Sequence, residues 1–279
     1  MSTVSRRRLL VGGLGLLAAA GCQADNKPQA VSARVADQTA AAAAQTPEAV
    51  TVVRALSYAR GGDVRMVVYR PEGITQAALP VCLAMHDRGA NADAFGDMGI
   101  VAALTEMVKA GGKPFALAAL DGGDTSWTTA GKDDPGRMLR EEVPAWLTRQ
   151  GLATTVFGSL GVGTGAYGAL DYVTQPGVAV TALLDPKLFA DFADARADGG
   201  VATDEAWHAV DPFRNVEKLG NVAVGIWSGA ADPAASRLAG AVKAEVTEIG
   251  AGGADFRKRK LVGVLAFLGD QGIRINGGY

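Results

Sequence analysis

From Val50 onward, apolar positions gather into short runs of strand length that alternate with longer segments of helical character. Two β-branched runs, Val50 to Tyr58 and Val64 to Tyr69, flank Gly61-Gly62 and predict an opening β-hairpin. Leu79 to His86 is a continuous apolar run, the pattern of a strand buried on both faces. An amphipathic helix is predicted over residues 98–109, a strand over 115–120 and a helix over 138–149. The alternation continues with a strand over 154–160, a helix over 166–172 and a strand over 178–184. A polar excursion over 188–207 follows, then a strand over 222–227, a helix over 234–244, a strand over 245–249 and a last helix over 257–268. This order predicts an α/β fold with a mostly parallel central sheet and helices on both faces.

The first 49 residues read differently. Arg6-Arg7-Arg8 precedes an apolar run from Leu9 to Ala20 that ends in Ala18-Ala19-Ala20-Gly21. Residues 1–22 are therefore expected to be a twin-arginine export signal. The run is shorter than the about 20 apolar residues that cross a bilayer. Cys22 after Ala-Ala-Gly resembles the lipidated cysteine of a bacterial lipoprotein, although Ala19 stands where Leu is commoner, and simple cleavage after Ala20 is the alternative. Lipidation at Cys22 would hold the protein at the outer face of the cytoplasmic membrane, in the cell envelope, through a lipid anchor alone. Residues 23–49 are rich in Ala, Gln and small polar residues and have no sustained apolar face, which predicts a flexible linker. Residues 50–279 have the length of one large α/β domain with a substantial core.

Charge and cysteine content narrow the function classes. Lys plus Arg number 27 against 29 Asp plus Glu, a net charge of −2, so no basic field points to nucleic acid. Cys82, the one cysteine outside the signal, lies within an apolar strand and reads as a buried, inert thiol. No Cys/His cluster offers a zinc site, and the reading calls for no metal and no cofactor.

One stretch organises the rest. Val156 to Leu170 is an apolar strand, a Gly-rich turn and a small-residue helix, with Gly161-Val162-Gly163-Thr164-Gly165 at the turn. A hydrolase nucleophile elbow has this shape with serine at the central position, where Gly163 stands. Four further stretches follow a matching order: Met85-His86-Asp87-Arg88-Gly89, Asp121-Gly122-Gly123-Asp124-Thr125-Ser126-Trp127, Ser228-Gly229-Ala230-Ala231-Asp232-Pro233 and Gly252-Gly253-Ala254-Asp255-Phe256.

Together these stretches resemble the esterase branch of the α/β-hydrolases, which includes feruloyl esterases, esterase D and mycolyltransferases. The resemblance implies an α/β-hydrolase fold over residues 50–269. It places His86, Asp87 and Arg88 in the loop that forms the oxyanion hole, with His86 bracing that loop. The backbone of Thr164 would serve the same hole, and Asp121 and Trp127 would line the pocket. The nucleophile, acid and base positions would fall at Gly163, Asp232 and Ala254.

Ester hydrolysis needs a serine oxygen to attack, an imidazole to take its proton and a carboxylate to orient the imidazole. Glycine and alanine stand at two of these three positions, and loss of nucleophile or base alone can cost about 10⁶-fold in turnover. Ser159 is expected to be a polar group within a strand, and the Thr164 side chain has no need to face substrate. The chain holds two histidines. His208 is expected to cap a helix start or lie at the surface, with a displaced base as the alternative. Asp87 would repel a developing oxyanion unless Arg88 offsets it, the alternative being a solvated Asp87–Arg88 pair. Asp232 is expected to cap the helix that begins at Pro233.

The leading expectation is thus a non-catalytic binder of glycan, acyl-glycan or ester ligands. Gly163 would leave extra room above the sheet, and Trp127 would offer a flat face for stacking. An active ester hydrolase or acyltransferase with relocated catalytic groups is the second reading. A structural or partner-binding lipoprotein is the third.

Overall fold

The computed structural model describes residues 47–250 and 252–275, so the predicted export signal, Cys22 and linker residues 23–46 lie outside the described residues. Eight strands form one sheet: β1 Val50–Ser57, β2 Gly62–Tyr69, β3 Val81–Met85, β4 Ala116–Leu120, β5 Val156–Val162, β6 Val180–Leu184, β7 Ala223–Ser228 and β8 Val246–Ile249. Their spatial order is β1-β2-β4-β3-β5-β6-β7-β8. β1 pairs antiparallel with β2, and β2 with β4; every later pairing is parallel.

β3, β4, β5, β6 and β7 are buried at every position. This is the physical reason their sequences are mostly apolar, because layers cover both faces of the sheet. On one face α2 Ile100–Lys109 and α9 Phe256–Ile275 pack together, with Leu104, Leu261 and Leu265 in the core. On the other face Leu147, Tyr167, Trp207 and Leu238 contribute to a second core. Cys82 is fully buried and its thiol is pushed up by desolvation. Among the described residues β1 is one edge of the sheet, with β8 at the other, and Val50, Val52 and Leu56 on the outer face of β1 are exposed.

Several helices depart from the sequence pattern for local reasons. The helix expected over 98–109 begins at Ile100 as α2, because Gly99 takes a left-handed conformation (φ +83°) that separates it from a short preceding helix, α1 Ala94–Asp97. The helix expected over 138–149 becomes α3 Pro135–Arg137, a π-turn over Met138–Glu142, and α4 Val143–Arg149. Pro144 has no N–H to continue the α-helical ladder, which places the widened turn just before it. The polar excursion contains two helices, α6 Phe192–Asp198 and α7 Asp204–Val210. Asp191 and Thr203 accept the N–H of Asp194 and Ala206 as N-caps, and Gly199 ends α6 at φ +86°. α5 Gly165–Tyr172 and α8 Pro233–Val242 complete the set.

The connection from β3 leads to β4 on one side of it, and the next connection crosses to β5 on the other. The crevice outside the carboxyl ends of β3 and β5 is where such sheets bind ligands. Residues 86–89 and 163–165 meet there.

Candidate functional site

The β5–α5 turn is built by close backbone approach. A Cβ on Gly165 would lie 2.1 Å from the Met85 carbonyl oxygen, so only glycine lets the start of α5 sit against the end of β3. Gly163, at the tip, has φ +59°. This is the strained strand-to-helix geometry of a nucleophile elbow, here with no side chain to carry.

The space above Gly163 is filled. A Cβ on Gly163 would lie 2.1 Å from Asp87 Cγ, which corrects the expectation of extra room at this position. Asp87 Oδ1 accepts hydrogen bonds from the Thr164 backbone N–H (2.9 Å), the Thr164 hydroxyl (2.9 Å) and the Arg88 N–H (2.9 Å). The Arg88 N–H is shared with Thr164 Oγ1 at 2.8 Å. A carboxylate held by N–H donors at the start of a helix gains both charge-assisted hydrogen bonds and a favourable dipole.

Arg88 does not pair with Asp87 through its guanidinium. That group meets Asp198 at 3.1 Å, and Lys187 joins the same carboxylate. The two cations hold the Asp198 carboxyl below its usual value against the opposing effect of desolvation. The Lys187 backbone N–H also donates to the Gly163 carbonyl at 2.9 Å. Gly163 and Thr164 are consequently buried.

His86 braces this arrangement from behind. Its Nε2 accepts the Gly122 N–H at 2.8 Å and its Nδ1 lies 2.7 Å from the Asp87 carbonyl, which assigns the proton to Nδ1. Burial lowers its pKa, and the Nε2 that accepts the Gly122 N–H carries no proton. The Asp87 side chain is thereby anchored on both sides, with its backbone on His86 and its carboxylate on Thr164.

Trp127 departs from the expected stacking face. It is 4% exposed, its Nε1 donates to the His86 carbonyl at 3.0 Å, and its ring fills the space beside Gly122 and Gly168. Ser126 and Trp127 both have positive φ (49° and 64°), a costly conformation held by this packing. Asp121 turns toward the loop before α1, where its Oδ1 accepts the Ala92 N–H at 2.8 Å. Asp121 and Trp127 thus tie loops together.

The remaining candidates are dispersed in their bonding. Ser159 is buried and donates to the Ala169 carbonyl, with Thr181 Oγ1 also at 2.9 Å. His208 lies in the last turn of α7, not near a helix start, and its Nδ1 faces Asp204 at 3.2 Å. Among the described residues, no hydrogen bond joins Ser159 or Thr164 to either histidine. Asp232 Oδ1 accepts the N–H groups of Ala234 (2.8 Å) and Ala235 (3.0 Å) at the start of α8. Ala254 is exposed in the loop before α9.

Two features escaped the sequence reading. Asp185, at the end of β6, binds the Gly229 N–H (2.7 Å) and Arg257 Nε (2.8 Å), linking the β7 loop to the start of α9. Its place at the carboxyl end of a parallel strand was the available signal. The second is a cleft of about 420 Å³ whose lining includes Trp127, Arg140, Asp171 and Thr203. Asp171, the one charged residue in α5, was the signal there.

No protein-family model matches the sequence, and no curated protein matches it. Solved structures do match. A ferulic acid esterase superposes with a TM-score of 0.65 at 12% identity, covering 79% of this chain and 98% of its own. An S-formylglutathione hydrolase from Agrobacterium tumefaciens gives 0.62 at 13% identity, covering 79% and 94%. MPT51 (FbpC1) of Mycobacterium tuberculosis gives 0.52 at 18% identity, covering 84% and 88%. At such identities the likeness is one of architecture. With its strand order and its mostly parallel, doubly covered sheet, the chain has the α/β-hydrolase fold.

Proposed function

We propose that the protein is an envelope-exported α/β-hydrolase-fold protein that binds its ligand and does not cleave it. The observation that carries this reading is the position of the Asp87 carboxylate. In this fold the oxyanion hole consists of the N–H after the nucleophile and an N–H from the loop after β3. Here these are the N–H groups of Thr164 and Arg88, and both are engaged by Asp87 Oδ1. A substrate carbonyl would meet a filled hole and a negative charge where an oxyanion must develop.

The rest of the site fits the same reading. Gly163, Asp232 and Ala254 stand at the nucleophile, acid and base positions as remnants of a triad, and the Asp232 carboxylate serves as a helix cap. Relocated catalysis finds no support in the hydroxyls of Ser159 and Thr164, which are spent on protein acceptors. The ligand class is glycan, acyl-glycan or ester, and an export signal with a lipid anchor at Cys22 would present it at the cell envelope.

The test is hydrolysis of p-nitrophenyl acetate by the purified protein together with labelling by a fluorophosphonate serine probe. The expected result is hydrolysis at the buffer rate and no labelled residue. A labelled side chain, with turnover that disappears when it is replaced, would overturn the reading and name the nucleophile.

A second reading draws on β1. An edge strand, paired on one side only among the described residues and with Val50, Val52 and Leu56 exposed, suits a protein partner. Replacing Val52 and Leu56 by Lys should then abolish association seen by sedimentation with envelope extract, while leaving the fold intact.

A further inference from the structure

The cleft beside the far end of α5 has a different character from the filled elbow. Its volume, about 420 Å³, lies within the roughly 300–1,000 Å³ typical of small-molecule sites. Trp127, Asp134, Arg140, Asp171, Thr203 and Glu205 contribute to its lining, whereas Asp87, Gly163 and Thr164 do not. Asp171 follows Gly163 by eight positions, on the order of 12 Å along a helix at 1.5 Å per residue.

We propose that this cleft, and not the elbow, is the ligand site, and that it takes a neutral sugar ring. The inference rests on the reading of the protein as a binder and locates the binding. Its centre is the ion pair between Arg140 Nη1 and Asp171 Oδ2 at 3.0 Å. Among the described residues, no other hydrogen bond engages either side chain, so one carboxylate oxygen and most of the guanidinium N–H groups stay available.

Charge selects the ligand. An anion would meet the carboxylates of Asp134, Asp171 and Glu205. A cation would find Asp171 already neutralised by Arg140 and Asp134 engaged as the cap of α3. A hydroxyl both donates and accepts, so two neighbouring hydroxyls on one ring can donate to Asp171 and accept from Arg140 without breaking the pair. The Thr203 hydroxyl, already accepting the Ala206 N–H at 3.1 Å, keeps its own proton to donate. Ala206, Ala209 and Val210 line the same space and suit the C–H surface of a sugar.

Burial raises the Asp171 carboxyl pKa, and the pair with Arg140 offsets that shift in part.

The experiment is ligand-observed NMR on the purified protein with three probes of one ring: methyl glucoside, glucosamine and glucuronate. Methyl galactoside and methyl mannoside extend the neutral set. At least one neutral glycoside should bind, and the cationic and anionic forms should bind several-fold more weakly or not at all. Asp171→Asn should weaken binding roughly tenfold or more, as loss of a hydrogen bond to a charged group does, while leaving Tm unchanged or raised. Ala206→Trp should block binding by filling the cleft, with an unchanged circular dichroism spectrum.

No binding of any neutral glycoside would overturn the proposal. So would tighter binding of a charged form, or binding indifferent to both substitutions. Ester hydrolysis and probe labelling of the same preparation report on the elbow separately. An empty cleft with an unlabelled elbow sinks this inference alone, whereas a labelled elbow sinks the binder reading beneath it.

Discussion

Asp87 Oδ1 lies 2.9 Å from both the backbone nitrogen and the hydroxyl oxygen of Thr164. This relationship ties the end of β3 to the start of α5 through a carboxylate that stands where a side chain at Gly163 would have to go. Residues 87 and 163 therefore depend on each other. A carboxylate at 87 fits because residue 163 has no Cβ, and glycine at 163 leaves no void because Asp87 fills the space.

That dependence can be measured. Gly163→Ser places a Cβ within contact-forbidden range of Asp87 and forces a side chain onto a left-handed backbone, which by itself costs about 1–2 kcal/mol. The single variant should be clearly destabilised in urea. Combined with Asp87→Gly, the cost should shrink well below the sum of the two single effects, a coupling of about 1 kcal/mol or more. Additive effects would show that the two positions do not compete for space. Any attempt to introduce a serine side chain at position 163 must therefore remove Asp87 as well.

Trp127 is expected to behave as a structural residue. Trp127→Phe leaves the His86 carbonyl without its 3.0 Å donor and should cost about 1–3 kcal/mol. Trp127→Ala should cost about 3–5 kcal/mol by leaving a cavity beside Gly122 and Gly168. Urea unfolding of both variants checks this, and wild-type stability for either would contradict the packing described.

The buried His86 makes stability depend on pH. Its pKa in the folded protein is lowered from 6.5, chiefly by desolvation. Between that lowered value and 6.5 the unfolded chain holds a proton that the folded chain does not, so stability rises with pH through this window. The contribution is complete above 6.5 and is lost as pH falls through the folded value. Thermal midpoints measured from pH 7 downward should show this slope, and His86→Gln should flatten it.

Asp185 sits at φ +47°, a conformation that Asn tolerates and a β-branched residue does not. Asp185→Asn should retain the bond to the Gly229 N–H and lose only the partly exposed pair with Arg257, a cost of about 1 kcal/mol or less. Asp185→Val loses both bonds and strains the backbone, and should lower Tm markedly more. Equal midpoints for the two variants would mean that neither the backbone strain nor the Gly229 bond matters.

Much of the fold was legible in the chain because burial on both faces leaves a simple imprint. Runs such as Val81 to Met85 and Ala116 to Leu120 are apolar throughout, since no position of a central strand faces water. Local rules also carried Asp232, whose side chain caps α8 directly before Pro233. The helices α6 and α7 went unread because they are short and polar on their outer faces, although the caps at Asp191 and Thr203 and the stop at Gly199 mark them. The split at Gly99 and the widened turn before Pro144 follow from single residues whose effect on a helix depends on what packs against it.

By itself, then, the sequence determined the α/β architecture, the glycine at the elbow tip and the identities of the side chains available for chemistry. Only the tertiary structure decided what those side chains do. Asp87 and Thr164 stand 77 positions apart and become partners because β3 and β5 are neighbours in the sheet. Arg140 and Asp171, 31 positions apart, meet for the same kind of reason, since α3, directly before Arg140, lies against α5. Periodicity records which residues face the core, but which loop fills which hole is set by contacts between distant segments, and those exist only once the sheet has closed them together.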